Sequence, residues 1–566
     1  MPKLSGLLRY RPRKILPYRR VERLSRDLKR QERPGYTGRL FNPSTRMEQM
    51  FYSHPLGVNA TPMVFKLDTT MKLGYADHHY SSDALRATSG PPTFSAFIPL
   101  PTYIRQVPDS IDVDTLDALA AQGAFSLPPA NSQLALLRSF VQYVHTDMPL
   151  LDLGPLLDGV VFHDGHQVGL LLFQAIMFAG AIFVDAIYLQ LMGFNSRRGA
   201  LRDMFTRARA LYDNGCETNH LEIVQALLLF TLYQGDSRCG PSFWMGTLWA
   251  TTRNMGLQHD RRIFDSDTGL NSGLRRRLWW STYTRDRAIA LDTRLPMFIS
   301  NEDHHVAALL LSDFETCHAT GKAYQQLGLD ETVQGTATKT SLALTFIYKV
   351  RLCECIGDIL SSQYSVEPSF SGQAMYKPRA TGISSLEFQR LECALDGWQQ
   401  SLPQSLQFPI SAISTRGQAQ DTVQVQQSTV QMLYFTAVHL LHRPSLCLPL
   451  TVNSLDGIFR DISAWKIESA SGNIIAIAHG LYLDNLTRCL PDTTVISLLS
   501  AAISYAVGTG PQLSLATYPP AVYLQQARNC LASLKDRYEA ADRAEAFLDC
   551  ATKLSPSVDS SSLPQR

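Results

Sequence analysis

The sequence predicts an all-α fold preceded by a basic leader. From about Phe94 onward, apolar residues recur at helical spacing, and almost no stretch alternates polar and apolar residues as strands do. Hydrophobic residues make up 45% of the 566 residues and charged residues 18%, the balance of a globular protein with a large core. Candidate helix starts and proline stops separate many of the periodic stretches. We therefore expect a multi-helical domain.

Residues 1–93 are predicted to be a mostly disordered leader or linker, because they carry turn signals and little periodicity. Residues 1–40 contain 13 Lys and Arg against 3 Asp and Glu, although the net charge of the whole chain is only +2. The candidate DNA-phosphate contacts in this segment are Lys3, Arg9, Arg11, Arg13, Lys14, Arg19 and Arg20. The same residues suit a solvated or nuclear-targeting basic segment. The composition also overlaps with that of a mitochondrial presequence, which Pro12 and Pro17 disfavour.

The helical domain is predicted to start at residue 94. Leu134–His145 places its apolar residues on one stripe, and Asn219 opens an apolar helix with Glu222 three residues later, close to a capping box. Further predicted helices are 246–255, 274–291, 340–361, 385–401, 429–442 and 521–550. Pro403 and Pro444 follow predicted helices and are expected to end them.

The C-terminal part divides into two segments. Residues 451–551 are predicted to extend the helical domain that covers residues 94–450. Residues 552–566 are rich in serine and are expected to form a disordered tail.

The apolar stretch Val168–Leu191 is long enough to span a bilayer. Gln174, Asp185 and Gln190 make it a poor span, since polar groups in lipid are costly. We expect a helix buried inside the domain and no membrane association.

The sequence indicates no catalytic or metal site. The side chains of neighbouring histidines (His78-His79 and His304-His305) point in different directions on either a helix or a strand, which disfavours chelation of one metal ion. His163 with His166 and Asp164 is no stronger a candidate for a metal site. Cys353 and Cys355 are two residues apart in a helical pattern and are expected in the core, and the ten scattered cysteines indicate reduced thiols rather than a disulfide framework. No serine-nucleophile, phosphate-loop or zinc-protease motif is present, so we expect no enzyme activity.

The segment Leu274–Ile299 resembles the signature of the fungal-specific transcription factor domain, the middle homology region of zinc-cluster regulators. Its letters are LRRRLWWSTYTRDRAIALDTRLPMFI, followed by Ser-Asn-Glu-Asp. The residues that match the signature are Arg275, Arg276, Arg277, Trp279, Trp280, Asp286, Arg287, Arg294, Pro296 and Asp303. Asp292, Leu295 and the pair His304-His305 depart from the family pattern.

The resemblance extends over roughly residues 94–450 and includes the turn Pro149–Asp152. Within the family it is strongest to the cutinase transcription factor group. No cysteine precedes Cys216, whereas a zinc cluster needs six closely spaced cysteines. We therefore expect this chain to lack the zinc cluster and to carry no cofactor, with zinc expected only if an N-terminal cluster precedes the printed sequence.

The charged residues of the signature helix must be matched by partners, because an uncompensated buried charge costs several kcal/mol. Leu278, Thr282, Arg285 and Ile289 share one stripe, and Trp279, Tyr283, Asp286 and Ala290 share the next. The arrangement predicts an internal structural clamp, with a ligand or partner site as the alternative.

The resemblance implies a nuclear regulator of RNA polymerase II transcription. Its expected partners are DNA, through the basic segment or another protein, together with zinc-cluster factors or the transcription machinery, as a homodimer or heterodimer. The alternative is a helical interaction or ligand-sensing module that modulates intact zinc-cluster factors without binding DNA. Mapping the 5′ end of the message would separate the two.

Overall fold

Helices make up most of the structure. The computed structural model describes residues 100–235, 239–259, 271–329, 335–369, 372–407, 418–447, 454–507 and 519–554. The first half contains α1 (Val113–Ala121), α2 (Ala130–Ser139), α3 (Leu153–Phe162), α4 (Leu170–Ala181), α5 (Ala186–Leu191), α6 (Arg197–Asp213), α7 (His220–Phe230), α8 (Pro241–Asn254) and α9 (Ser272–Thr293). The second half contains α10 (Gly321–Gln326), α11 (Thr336–Gln363), α12 (Ser385–Ser401), α13 (Gln418–Cys447), α14 (Ser454–Leu483), α15 (Thr493–Val507), α16 (Pro520–Leu534) and α17 (Glu539–Leu554). The predicted all-α class is confirmed.

Two short pairs of strands join the helices in the described part of the chain. β1 (Ile104–Arg105) pairs in parallel with β2 (Val168–Gly169). β3 (Tyr364–Pro368) and β4 (Ala374–Pro378) form an antiparallel hairpin, with Tyr364 opposite Pro378. The sequence analysis did not predict this hairpin.

The apolar stretch Val168–Leu191 is divided into β2, α4 and α5. Every residue of α4 is buried, whereas Ile187 and Leu191 of α5 are exposed. α4 packs against α2, α6 and α7. Among the described residues, no helix has both the length and the apolar character needed to cross a bilayer. The prediction of a buried helix is confirmed for residues 170–181, and the single helix expected over the whole stretch is corrected.

Several helices of the second half pack on one another and on α9. α13 packs against α11, α14 and α15, and α15 also contacts α9. The buried apolar residues form one contiguous cluster that extends from Tyr103 to Ala551. The segment predicted as a C-terminal extension therefore shares its core with the segment before it.

The expectation that Pro444 ends a helix was wrong. α13 continues to Cys447 with Pro444 in its last turn. A proline has no N–H to donate to the carbonyl of the residue four positions earlier. The Tyr364 hydroxyl donates to that carbonyl, of Leu440, at 2.8 Å. A tertiary contact therefore replaces the missing helix bond, whereas α12 does end before Pro403, as predicted.

Two other local predictions were also corrected. The single helix expected over 521–550 is divided into α16 and α17 by a turn at residues 535–538. The N-cap Asn219 does accept from the Leu221 N–H at 3.0 Å, but Glu222 does not complete a capping box. Its carboxylate instead accepts from the Gly169 N–H at 2.6 Å and binds Arg105, because β1 and β2 lie against the start of α7.

The leader and its seven candidate DNA contacts lie outside the described residues, as does the tail from residue 555 onward.

Candidate functional site

The signature segment forms α9, a helix buried on nearly all sides. The Asn271 side chain caps its start by accepting from the Gly273 N–H at 2.9 Å. The helix ends at Arg294, whose φ of 58° places it in the left-handed region that commonly closes helices. The carbonyl of Arg294 accepts from the Tyr376 N–H of β4 at 2.8 Å, so the hairpin adds to the end of the helix.

The three consecutive arginines near the start of α9 bind three different segments. Arg275 donates to the carbonyls of Gly256 and His259, beyond the end of α8. Arg276 forms a two-pronged ion pair with Asp313, which lies in the 3₁₀ turn Leu311–Cys317. Bidentate pairing of this kind fixes both position and orientation.

Arg277 is fully buried and holds the turn Pro149–Asp152. Its guanidinium donates to the carbonyls of Pro149 at 3.0 Å and Leu151 at 2.7 Å, and it binds the Asp152 carboxylate. A fourth bond, from Nε to the Asp313 carbonyl, measures 2.8 Å. The Arg277 side chain therefore joins α9 to the turn Pro149–Asp152, and both of these segments match the family.

Arg285 connects α9 to the residue that precedes α15. Its two terminal nitrogens donate to the two oxygens of Asp492, and Nε donates to the Thr231 hydroxyl at 2.9 Å. Burial alone would raise the pKa of Asp492, but the adjacent guanidinium of Arg285 holds that pKa below its usual value. The pair stays charged at neutral pH.

The Asp286 and Arg287 side chains together fix the loop that follows α9. Asp286 accepts from the backbone N–H groups of Phe298 at 3.0 Å and Ile299 at 3.1 Å. Arg287 donates to the Ile299 carbonyl and to Asp286, each at 2.7 Å, and to Asn301 at 2.7 Å. Its guanidinium also lies 4.0 Å from the centre of the Tyr283 ring. Burial raises the pKa of Asp286, against the opposing effect of Arg287 and the two N–H donors.

Trp279 and Trp280 are both packing residues, with 0% and 2% of their surface exposed. Trp280 Nε1 donates to the Ala307 carbonyl at 3.0 Å. Trp279 Nε1 is buried without a hydrogen-bond partner in the part of the chain that the structure describes. The His304 ring lies 5.3 Å from Trp279 and 5.1 Å from Trp280, so this residue packs between the two aromatic side chains.

The remaining signature residues lie in the loop after α9. Pro296 is partly buried. The N–H of the next residue, Met297, donates to the Tyr376 hydroxyl at 3.3 Å. Asp303 is exposed and closes a turn by accepting from the Ser300 N–H at 2.9 Å.

The fungal specific transcription factor domain matches residues 137–399, which include all of α9 and its loop. The transcription factor cpaR of Aspergillus oryzae is 44% identical over 80% of this chain and 77% of its own length. The cutinase transcription factor 1 beta of Fusarium vanettenii is 32% identical over 80% of this chain and 53% of its own length. No solved structure matches the chain.

This chain belongs to the fungal-specific transcription factor family.

The family resemblance predicted from the signature is thereby confirmed, including the likeness to a cutinase transcription factor. The matched range is narrower than the predicted 94–450. The chain spans about half the length of the Fusarium relative, so the activity of a whole family member comes to this chain only as a proposal.

Every charged family-signature residue on α9 has internal partners, which is the geometry of a structural clamp. The histidines that the sequence analysis weighed and disfavoured as metal ligands have other contacts: His163 stacks on Tyr103, while His166 binds Asp164 in an exposed turn. His305 faces His259. Within the described residues, no three His, Cys, Asp or Glu side chains come together as a metal site. His78 and His79 lie outside the described residues.

A small cavity lies beside the end of α9, between the hairpin and helices α13 and α15. Arg294, Tyr364, His439 and Arg443 line it, and its free volume is about 40 Å³. That is room for a few water molecules, whereas pockets for organic ligands usually measure about 300 Å³ or more.

Two important groups were missed by the sequence analysis. Arg105 of β1 binds both Glu217 and Glu222, which flank the start of α7. Asp492 pairs with Arg285 across 207 positions of sequence. The only available signal was the general rule that a buried charge needs a partner, and that rule does not say which residue provides it.

Proposed function

We propose that this chain is a fungal transcriptional regulator that acts in the nucleus, with its helical domain as a scaffold that presents regulatory surfaces. The observation that carries the proposal is the network around α9. Arg277 and Arg285 tie this helix to segments that start near residue 149 and end near residue 492. The charges hold one domain together instead of lining a reactive cleft.

The relatives support the regulatory part of the proposal. The cpaR protein carries the name of a transcription factor, and the acetamidase regulatory protein of Emericella nidulans is 30% identical over 27% of this chain. The proposal assigns no catalytic step and no cofactor to the chain itself. Its contact with promoters runs through the basic segment, through a zinc-cluster partner, or through an N-terminal cluster of a longer product.

A tethering experiment tests the regulatory role. The full chain is fused to a heterologous sequence-specific DNA-binding module in a fungal host, with matching operators upstream of a reporter. We expect reporter output to change severalfold relative to the DNA-binding module alone. Arg277→Ala should abolish the effect by breaking the clamp, whereas the exposed substitution Gly397→Ala should leave it intact. An unchanged reporter at equal protein abundance would refute the proposal.

Localisation and metal content provide two further tests. The tagged chain should concentrate in nuclei and lose that enrichment when residues 1–40 are deleted. Purified protein should carry no stoichiometric zinc, because its cysteines before residue 300 are only Cys216 and Cys239. Two zinc ions per chain by elemental analysis would contradict that expectation.

A further inference from the structure

The small cavity beside the end of α9 is lined by two arginines from distant parts of the sequence. Arg294 ends α9, and Arg443 lies near the end of α13. Both residues are partly buried. His439 also lines the cavity, where burial, together with Arg443 and His442, lowers its pKa to about 3 and keeps it neutral. Among the described residues of the lining, none is Asp or Glu, so these residues give the cavity two positive charges and no negative charge.

The carboxylate closest in sequence to Arg294 is Asp292, which does not line the cavity. Burial raises the pKa of Asp292 to about 6, and the charge of Arg543 on α17 opposes that rise more strongly than the charge of Arg294 does. The negative charge of Asp292 therefore acts mainly on α17 rather than on the cavity.

The backbone of Arg294 adopts a conformation that suits glycine better than arginine. Its φ of 58° lies in the left-handed region, which costs free energy for most residues with a side chain. The Tyr376 N–H holds the Arg294 carbonyl at 2.8 Å and so fixes this conformation. A glycine would adopt the same angles without strain. The presence of arginine at such a position indicates that its side chain has a role.

Hydroxyl groups in the lining add donors to the two guanidinium groups. The Tyr364 hydroxyl lies 3.5 Å from Nη2 of Arg443 and orients that side chain. Tyr376 is only 8% exposed, and its hydroxyl accepts from the Met297 N–H while its own proton has no acceptor among the described residues. The hydroxyl of Ser500 on α15 likewise forms no hydrogen bond with a described residue. A buried donor without an acceptor costs free energy, so an acceptor bound here would stabilise the fold.

The size of the cavity limits what can bind. Its free volume is about 40 Å³, which is room for about three water molecules or for one small oxyanion. The rest of the lining is mostly apolar and includes Leu291, Leu360, Leu440, Ile496, Leu499 and Ile503. Charges attract one another more strongly in such surroundings than in water.

We propose that this cavity binds one small oxyanion, either inorganic phosphate or a short carboxylate. Its oxygens accept from the two guanidinium groups and from the hydroxyls of Tyr376 and Ser500, as charge-assisted hydrogen bonds do. The bound anion joins four elements, because the lining comes from the end of α9, the β3–β4 hairpin, α13 and α15. It thereby fixes the hairpin and the two later helices on the signature helix.

Thermal unfolding of the purified full chain tests the site. Midpoints are compared in inorganic phosphate, in acetate and in chloride at equal ionic strength. We expect phosphate or acetate to raise the midpoint by about 2 °C or more relative to chloride, since a ligand that binds only the folded state stabilises it. A response to phosphate alone assigns the site to a tetrahedral anion, and a response to acetate alone assigns it to a carboxylate. No shift in either salt would overturn the proposal.

Arg294→Gly separates binding from folding. The substitution removes one positive charge and leaves a residue that suits the left-handed backbone, so the chain should still fold while the salt-dependent shift disappears. The matched control is Arg253→Gln, at an exposed arginine of α8, which should keep the shift. A shift of the parent size in Arg294→Gly would assign the effect to general surface binding of anions and would also overturn the proposal.

Direct titration calorimetry with the responding anion tests one hydroxyl contact by a milder change. Ser500→Ala should raise the dissociation constant by about tenfold, because it removes one hydrogen bond to a charged group. Ser401→Ala, at an exposed serine of α12, should leave the affinity unchanged. Equal affinities of Ser500→Ala and the parent would contradict the proposed arrangement. These measurements use the isolated chain, so their failure leaves the transcriptional proposal standing.

Discussion

Arg285 and Asp492 form a bidentate ion pair that joins α9 to the start of α15, with Nη1–Oδ1 at 2.9 Å and Nη2–Oδ2 at 2.8 Å. Only 5% of the arginine side chain and 12% of the aspartate side chain are exposed. Removing one partner of a buried pair leaves the other uncompensated. The first prediction concerns this pair.

Asp492→Asn should lower the free energy of unfolding by about 3–5 kcal/mol, because the Arg285 guanidinium stays buried without its counter-charge. The double variant Arg285→Met with Asp492→Leu should be more stable than Asp492→Asn. A control is Asp549→Asn, which breaks an exposed pair with Arg528 and should change stability by about 1 kcal/mol or less. Urea unfolding of the four proteins measures these differences, and equal losses in the two single variants would contradict the prediction.

Substitution of the two tryptophans of α9 by phenylalanine, which removes the indole N–H, should lower stability by different amounts. Trp279→Ala or Trp280→Ala should each destabilise the protein by about 3–5 kcal/mol, since both rings are buried. Trp280→Phe should cost about 1 kcal/mol more than Trp279→Phe, because only Trp280 loses a hydrogen bond, to Ala307. Thermal denaturation measures the order, and unchanged stability of the double alanine variant would show that the rings are not core residues.

Gly169 should not tolerate a side chain. A Cβ at this position would lie 1.8 Å from a Glu217 oxygen and 2.3 Å from a Glu222 oxygen, and Arg105 holds both carboxylates in place. Gly169→Ala should therefore destabilise the protein by about 1–3 kcal/mol, as overpacking does. The control Gly397→Ala, in an exposed turn of α12 with nothing nearby, should stabilise it by up to about 1 kcal/mol. Equal thermal midpoints for the two variants would contradict the prediction.

His439 should contribute to a loss of stability in acid. Burial, together with Arg443 and His442, lowers its pKa to about 3, and its Nε2 lies 2.8 Å from the Ser471 hydroxyl. The unfolded chain, with a histidine pKa near about 6.5, takes up a proton at a higher pH than the folded chain does, so stability falls as pH decreases from about 6.5 to about 3.

The histidine contribution between pH 7 and pH 5 is about 2 kcal/mol. His439→Gln should therefore lose less stability than the parent over this interval, by about that amount. Urea midpoints at the two pH values measure the difference. Parallel pH dependences of parent and variant would show that His439 does not titrate in this way.

The basic segment should bind DNA without sequence preference. Lys3, Arg9 and their neighbours can neutralise phosphates, but no element has been identified that would place them on base edges. Binding should weaken steeply with salt and disappear when residues 1–40 are deleted. Fluorescence anisotropy with one promoter sequence and its scrambled counterpart measures the preference. A difference of roughly a thousandfold at physiological salt would indicate specific recognition instead.

The sequence by itself determined the helical class, the family and the burial of the signature helix. Helical periodicity sufficed for α12, whose predicted bounds are the observed ones. The burial of α4 followed from a different signal, because an apolar run with a few polar residues fits a helical core better than a bilayer. Trp279 and Trp280 are buried as well, as an apolar helix that carries matched charges implies.

Only the tertiary structure decided which groups pair. Glu222 has the spacing of a capping residue but binds Gly169 and Arg105, and the helix around Pro444 persists because Tyr364 supplies a bond to Leu440. Local spacing fixes which side chains share a face, whereas ion pairs and hydrogen bonds form between segments that may be hundreds of residues apart in sequence. Arg285 requires a counter-charge wherever it is buried, but only the packing of α15 on α9 makes that counter-charge Asp492.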